Sequence, residues 1–282
     1  MTLLEITWAP DPFAFHIGSF GLRWYSLLWL LAVVLSSLYV YWIFKREKLS
    51  DDDFSSLFVY VFAGVFIGAR LGHCLFYDAD YFLAHPLDII LPGHFMADGK
   101  WHFTGYTGLA SHGGAIGLII SLYLFSRRKK MPMLRVLDII SLAAPLLACI
   151  IRIANFMNSE IIGMPTGSDL GVTFANIDNL PRHPAQLYEA AFYLLVFVAL
   201  WALYRWGHER RYGLYFGLCC LSIFTFRFFI EFLKERQVDF ESSMAIDMGQ
   251  LLSIPFILAG IWFTYRALRP ASDNNKKTAL GK

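Results

Sequence analysis

Residues 149–163 read CIIRIANFMNSEIIG. They continue an apolar run that starts near Met133, yet they place Arg152, Asn155, Asn158 and Glu160 within nine positions. A centrally placed arginine costs about 2.5–3.5 kcal/mol on insertion scales, and ionisable groups inside membranes face a partner or a cavity. Arg152 and Asn155 are three apart and share a helix face, which Ser159 extends if the helix continues. The stretch therefore reads as a membrane helix that carries a polar site at one end.

Composition agrees with a lipid solvent. The chain has 282 residues, of which 57% are hydrophobic and 16% charged, and its mean hydropathy is +0.50. Soluble domains carry about 25% charged residues. Seven runs of about 20 mostly apolar residues stand out, near 22–44, 54–77, 108–126, 133–156, 184–206, 212–233 and 247–268. Each is long enough for a hydrocarbon core of roughly 30 Å. Only helices and closed barrels satisfy their backbone in lipid, so the fold class is an all-α integral membrane protein of about seven spans. Trp24, Tyr25, Tyr41 and Trp42 lie near span ends, where interfacial belts form. The first residues, MTLLEITWAPDPF, lack a basic n-region, so span 1 is expected to remain as an anchor. Cys74, Cys149, Cys219 and Cys220 all fall inside spans and show no metal-ligand spacing, which points to buried structural thiols.

The basic residues alternate between connections. KREK after span 1, RRKK after span 3, HERR after span 5 and the tail after span 7, with Arg135 and Arg205, hold 16 of the 24 Lys and Arg. The positive-inside rule then puts the N-terminus outside and the C-terminus in the cytoplasm. Residues 1–269 read as one polytopic domain with two long outer segments, 78–107 and 157–183, and 270–282 as a short polar cytoplasmic tail. The first outer segment reads as an interfacial arm. The second, rich in Gly, Asn and Asp, reads as a small head with some β structure.

This topology brings polar residues of six spans to one leaflet. Arg23 and Tyr25 open span 1; Arg70 and His73 lie in the outer part of span 2; His112 lies in span 3; Arg152 and Asn155 end span 4; His183 opens span 5; Arg227 and Glu231 close span 6. Taken singly, each has a plain structural reading. Arg23 can snorkel, Arg227 and Glu231 can neutralise each other four apart, and His73 can be a satisfied bundle histidine. Taken together, they point to one polar cavity open to the outer leaflet. Arg70, Arg152 and Arg227 outnumber Glu231 among the buried charges, so the expected ligand is anionic, and guanidinium forks suit phosphate. A phospholipid is the simplest anion at that depth, so membrane lipids, not nucleic acid, are the expected partners.

At this point the motifs resemble the bacterial prolipoprotein diacylglyceryl transferases. Arg152, Asn155, Phe156, Asn158, Glu160 and Gly163 fall in register with that family's signature. RWY at 23–25, SHGG at 111–114, HPAQLYE at 183–189, RFFIEF at 227–232 and MGQLLSIP at 248–255 follow in the family's order. Ile151 and Ala154 replace two signature glycines, and the residues after Glu231 depart from the family pattern over 233–240. These departures raise the alternative of a diverged, non-catalytic paralogue.

The resemblance implies transfer of the diacylglyceryl group of phosphatidylglycerol to the lipobox cysteine of a prolipoprotein in the bacterial inner membrane, with no metal or other cofactor. Such chemistry needs a thiolate and a stabilised leaving phosphate. His112 is the candidate base, and Arg152, Arg227 and Tyr25 complete the catalytic set. Arg152 also counts among the substrate-binding candidates, with Asn155, Asn158, Glu160, Gly163, Glu231, Arg70 and His183. Three other readings use the same residues differently. An anionic-lipid transporter normally shows inverted repeats, which are not visible here. A scaffold would use the charges only to pair helices. An intramembrane protease needs a Ser–His pair or paired aspartates, which the spans lack.

Overall fold

Ser50 caps the helix that begins at Asp51. Its hydroxyl accepts from the Asp53 backbone N–H at 3.0 Å, and Asp51–Asp53 set negative charge on the positive end of the helix dipole. The computed structural model describes residues 5–18, 20–95, 101–103, 106, 108–207, 211–235 and 246–269. The tail 270–282, most of the HERR connection and the departures from 236 onward lie outside the described residues.

The long helices are α1 (Trp24–Arg46), α2 (Asp51–Phe76), α5 (Ser111–Lys129), α6 (Met133–Met157), α7 (Ala185–Trp206), α8 (Leu214–Ile230) and α9 (Met248–Leu268). Two short helices, α3 (Ala79–Ala84) and α4 (Leu87–Ile90), lie between α2 and α5. Among the described residues, six helices are long and apolar enough to cross a membrane. The expected seventh, near 108–126, is α5. It is a 19-residue helix in the expected place, but its polar Ser111–Gly114 start and its Arg127–Lys129 end keep its hydropathy below that of the other six.

The strands are few. β1 (Glu5–Trp8) runs parallel to β6 (Gly171–Phe174), which pairs antiparallel with β7 (Pro181–Arg182). Two antiparallel pairs, β2 (Phe13–Ile17) with β3 (Phe20–Arg23) and β4 (Gly93–Phe95) with β5 (Trp101–Phe103), complete the set among the described residues.

Contacts divide the chain into two units, 1–42 with 137–282, and 43–136. In the first, Phe192 of α7 stacks on Phe226 of α8 at 4.0 Å, and Tyr39 of α1 meets Phe197 of α7 edge-on at 5.1 Å. The buried carboxylate of Asp138 accepts from the Gly213 and Phe216 N–H groups at 2.6 and 2.8 Å, which fixes the start of α8. The small sheet covers a core of Phe156, Ile162, Val172 and Phe174, closed by Trp8. The Trp8 ring stacks on Phe156 at 4.5 Å, and its indole N–H donates to the Phe156 carbonyl at 3.1 Å.

In the second unit, α2 and α5 pack backbone to backbone. Gly64, Gly68 and Gly72 recur every fourth residue of α2 and meet Gly113, Gly117 and Ser121 of α5, which also recur every fourth residue. A Cβ on Gly68 would strike the Gly113 carbonyl, and one on Gly113 would strike that of Gly68. Small residues at this spacing supply helix packing that apolar side chains cannot, since lipid tails are equally apolar. Gly68→Leu should therefore destabilise this pair by about 1–3 kcal/mol through overpacking. Unfolding of the purified protein in detergent, compared with the parent, checks this.

Candidate active site

The signature begins where α6 ends. The Ser159 N–H returns to the Phe156 carbonyl and the Glu160 N–H to the Asn155 carbonyl, at 3.1 and 2.9 Å. This is the paired closure of a Schellman motif, with Ser159 left-handed at φ 53°. The helix thus stops at Met157, and Ser159 does not extend the Arg152–Asn155 stripe. The apolar contact that usually accompanies this motif is replaced by a polar one, Asn155 Nδ2 donating to Glu160 Oε2 at 3.4 Å. Asn158 Nδ2 donates to Glu160 Oε1 at 2.7 Å, and Arg152 donates to Asn155 Oδ1 at 3.2 Å. Gln186, fully buried, donates to the Glu160 carbonyl at 2.6 Å.

Behind this row sits Glu189 of α7, with no exposed surface. Its Oε2 lies 3.0 Å from Arg152 Nε and 3.2 Å from Lys234 Nζ, close ion pairs without the alignment of hydrogen bonds. Its Oε1 accepts from the Tyr193 hydroxyl at 2.9 Å. Lys234, also buried, reaches Glu231 at 3.2 Å. Gly249 makes room for that carboxylate, because a Cβ there would strike Glu231 Oε1. Gln250 secures the neighbouring turn by donating to the Phe228 carbonyl at 3.2 Å.

Arg227 stands apart. Among the described residues no ion pair holds it, and its buried Nε has no acceptor. It lies within electrostatic reach of Tyr193, as do Arg152 and Glu189. Tyr25 lies within reach of Glu160 and Arg152.

Gly163 is a point of close approach. Its N–H donates to the His183 carbonyl at 3.0 Å, and it bridges antiparallel to Lys234. A Cβ would meet the His183 Cβ at 2.6 Å and the Leu233 carbonyl at 2.9 Å. The left-handed residues of this exit are Ser159 and Ile161, so glycine is required here for space. Arg182 binds the region from the head side. It donates to the Gly163 carbonyl at 3.1 Å, grips Asp178 with Nε and a terminal nitrogen at 3.0 and 2.6 Å, and pairs with Glu235 at 3.1 Å.

The structure therefore gathers Tyr25, Arg152, Asn155, Asn158, Glu160, Gly163, His183, Arg227 and Glu231 within the first unit. Arg70 and His112 belong to the second. Arg70 is buried, and its guanidinium donates to the carbonyls of Ile89, Asp88 and Gly108 between the Phe82 and Tyr106 rings. It anchors the short helices of the arm. His112 is exposed, its ring 5.9 Å from Phe76 and 5.6 Å from Tyr77.

Sequence reading passed over Glu189, Lys234 and Arg182. Glu189 carried a signal, since it is a carboxylate inside an apolar span. The other two gave less, because beside a near neighbour each also binds a carboxylate distant in the chain, Glu235 for Arg182 and Glu189 for Lys234.

Apolar helices of spanning length, with cations drawn around a buried carboxylate at the end of one of them, define a multi-pass membrane protein with a polar site. The profile of the family described as prolipoprotein diacylglyceryl transferase matches residues 12–266. This chain belongs to that family. Similar proteins include the phosphatidylglycerol–prolipoprotein diacylglyceryl transferase of Bacteroides fragilis, 50% identical over 93% of this chain and 95% of the relative. Those of Chloroherpeton thalassium and Porphyromonas gingivalis are each 41% identical, over 94% of this chain and 96% and 95% of theirs.

Two outcomes follow. Glu189→Ala removes the carboxylate that Arg152 and the buried Lys234 share and should cost about 3–5 kcal/mol in folding stability. Pairing it with Lys234→Met should recover part of that loss in the same detergent unfolding assay. The guanidinium of Arg182, followed by the Leu180 N–H, holds the Asp178 carboxyl below its ordinary value. Its stabilisation is therefore complete above about pH 4 and is lost as pH falls through the folded-state value. Asp178→Asn should remove that acid-sensitive part of the thermal unfolding midpoint, measured from pH 7 down to pH 3.

Proposed function

We propose that this chain transfers the diacylglyceryl group of phosphatidylglycerol to the lipobox cysteine of a prolipoprotein, the first step of lipoprotein maturation. The sulfur forms a bond to the glycerol carbon, the carbon–oxygen bond to phosphate breaks, and its electron pair leaves with glycerol phosphate. The relatives named for this reaction support the reading. The observation in this chain that carries it is the contrast between two arginines. Arg152 is braced by Glu189 and Asn155, whereas Arg227 lies near the same tyrosine with its buried Nε unpaired.

A braced guanidinium beside an uncommitted one suits an entering phosphate that gains charge as its ester bond breaks. Such contacts are strongest where water is excluded. Asn155, Asn158 and Glu160 form the wall that holds the headgroup, with Tyr25 orienting the phosphate and His183 and Gly163 closing the head side. Glu231 holds Lys234, and Arg70 holds the arm. His112 takes the thiol proton, because a thiol with an ordinary pKa near 8.5 is mostly protonated at neutral pH. The chain lies in the bacterial inner membrane with its N-terminus outside and its C-terminus in the cytoplasm. The basic ends of α1 and α5 support that orientation.

The test is a mass-spectrometric assay of purified protein with phosphatidylglycerol and a lipobox-cysteine peptide. The parent should add a diacylglyceryl group to the cysteine, and a Cys→Ser peptide should remain unmodified. Arg152→Ala should lower turnover by about 100-fold or more. His112→Ala should be slow at neutral pH and recover as pH rises toward 8.5, where the peptide thiol ionises unaided. No adduct from folded parent protein overturns the reading.

A further inference from the structure

The glycine stripe that lets α2 and α5 touch also shapes the surface beside their contact. Glycines have no side chains to fill the seam, so Gly68, Gly72 and Gly117 become its floor. On α2, Ala63, Ile67 and Leu71 stand in i, i+4 steps along one wall, and on α5 Ile116 and Ile120 stand in the same step along the other. The result is an open groove of about 620 Å³ whose lining is almost wholly apolar. Its walls run from Val59 to Phe76, which at 1.5 Å per residue is roughly 26 Å.

We propose that this groove holds one acyl chain of a phospholipid, and that it seats the lipid substrate of the transfer reaction. The proposal rests on the function argued above. Size selects the occupant. A spanning helix of that length, a cylinder about 10 Å across, fills on the order of 2,000 Å³. A helix, whether of a second copy of this chain or of a precursor, could lie only over the groove and would leave most of its bulk outside, whereas an acyl chain can lie within it. A single acyl chain is thin, apolar and flexible, and one leaflet offers roughly 15 Å of hydrocarbon depth.

Position selects the role. The groove ends at the candidate base: Gly113, part of the lining, is the residue after His112, and Phe76, the last wall residue of α2, packs its ring 5.9 Å from the His112 imidazole. Arg70 fixes the arm beside the same end of α2. A lipid with one chain in the groove would therefore bring its glycerol to the level of His112.

Photolabelling of the full chain tests this without needing turnover. The protein is placed in phosphatidylethanolamine bilayers with phosphatidylglycerol carrying a diazirine midway along one acyl chain, irradiated, digested and mapped by mass spectrometry. Adducts should concentrate on residues 63–75 and 116–120 and fall several-fold with excess unlabelled phosphatidylglycerol. Ala63→Trp, which fills the groove, should reduce labelling several-fold and raise KM for long-chain phosphatidylglycerol about tenfold, an effect of about 1.4 kcal/mol. It should leave a short-chain analogue unaffected. Phe62→Trp, one residue away on an exposed face outside the lining, should change neither.

His112→Ala should lose transfer but keep the labelling, so failure of the catalytic reading and failure of the groove are distinguishable. Equal, uncompeted labelling by a phosphatidylethanolamine probe would mean surrounding lipid only and overturns the proposal. So does an unlabelled groove with Ile120→Cys forming disulfide-linked dimers, which would mean a second copy covers it.

Discussion

Glu189 is the group on which the site depends. A carboxylate with no exposed surface has lost all hydration, and in this chain Arg152, Lys234 and the Tyr193 hydroxyl replace it. Those partners come from two helices and from the segment that follows a third, so one buried charge ties α6, α7 and the chain after α8 together. The arrangement also decides what remains available. Arg152 spends its Nε on Glu189, Lys234 spends its ammonium on two carboxylates, and Arg227 keeps a buried nitrogen unspent. Under the proposed function, stability and readiness for an anion thus reside in different cations.

The second unit solves a different problem, the pairing of helices in a solvent as apolar as their own side chains. Its answer is close backbone approach through glycine, which works only where both helices omit side chains in register. Arg70 then ties the arm to this pair through three carbonyls, while Leu83, Leu87 and Ile90 of the arm remain largely exposed. In a water-soluble protein such residues would invite aggregation. On a membrane protein such residues suit contact with lipid.

Much of this was legible in the residues because lipid imposes strong rules. Apolar length marks the helices, and the cost of intramembrane charge marks Arg152 and Arg227. The arrangement around them was not. Glu231 reads as the neighbour that neutralises Arg227 four residues away, yet Lys234 holds it, and Glu160 is held by two asparagines. The carboxylate that orients Arg152 stands 37 positions further on. At α5 the apolar run 108–126 marks the helix to within three residues at each end, taking in residues that precede it and leaving out the basic turn that ends it. Local periodicity sees neither long-range pairing nor where a helix stops.

The left-handed backbone at Ser159 and Ile161 has a temporal consequence. A side chain in that region costs roughly 1–2 kcal/mol, and a β-branched one such as Ile161 is an outlier there. The signature loop therefore has little preference for its native shape by itself. It is held by Gln186, by the His183 carbonyl and by the bridge to Lys234, all encoded later in the chain. As the ribosome delivers the protein from its N-terminus, α6 is complete well before these clamps exist. The half-made protein then carries Arg152, Asn155, Asn158 and Glu160 without the groups that shape their loop, and the site is among the last features of the first unit to form.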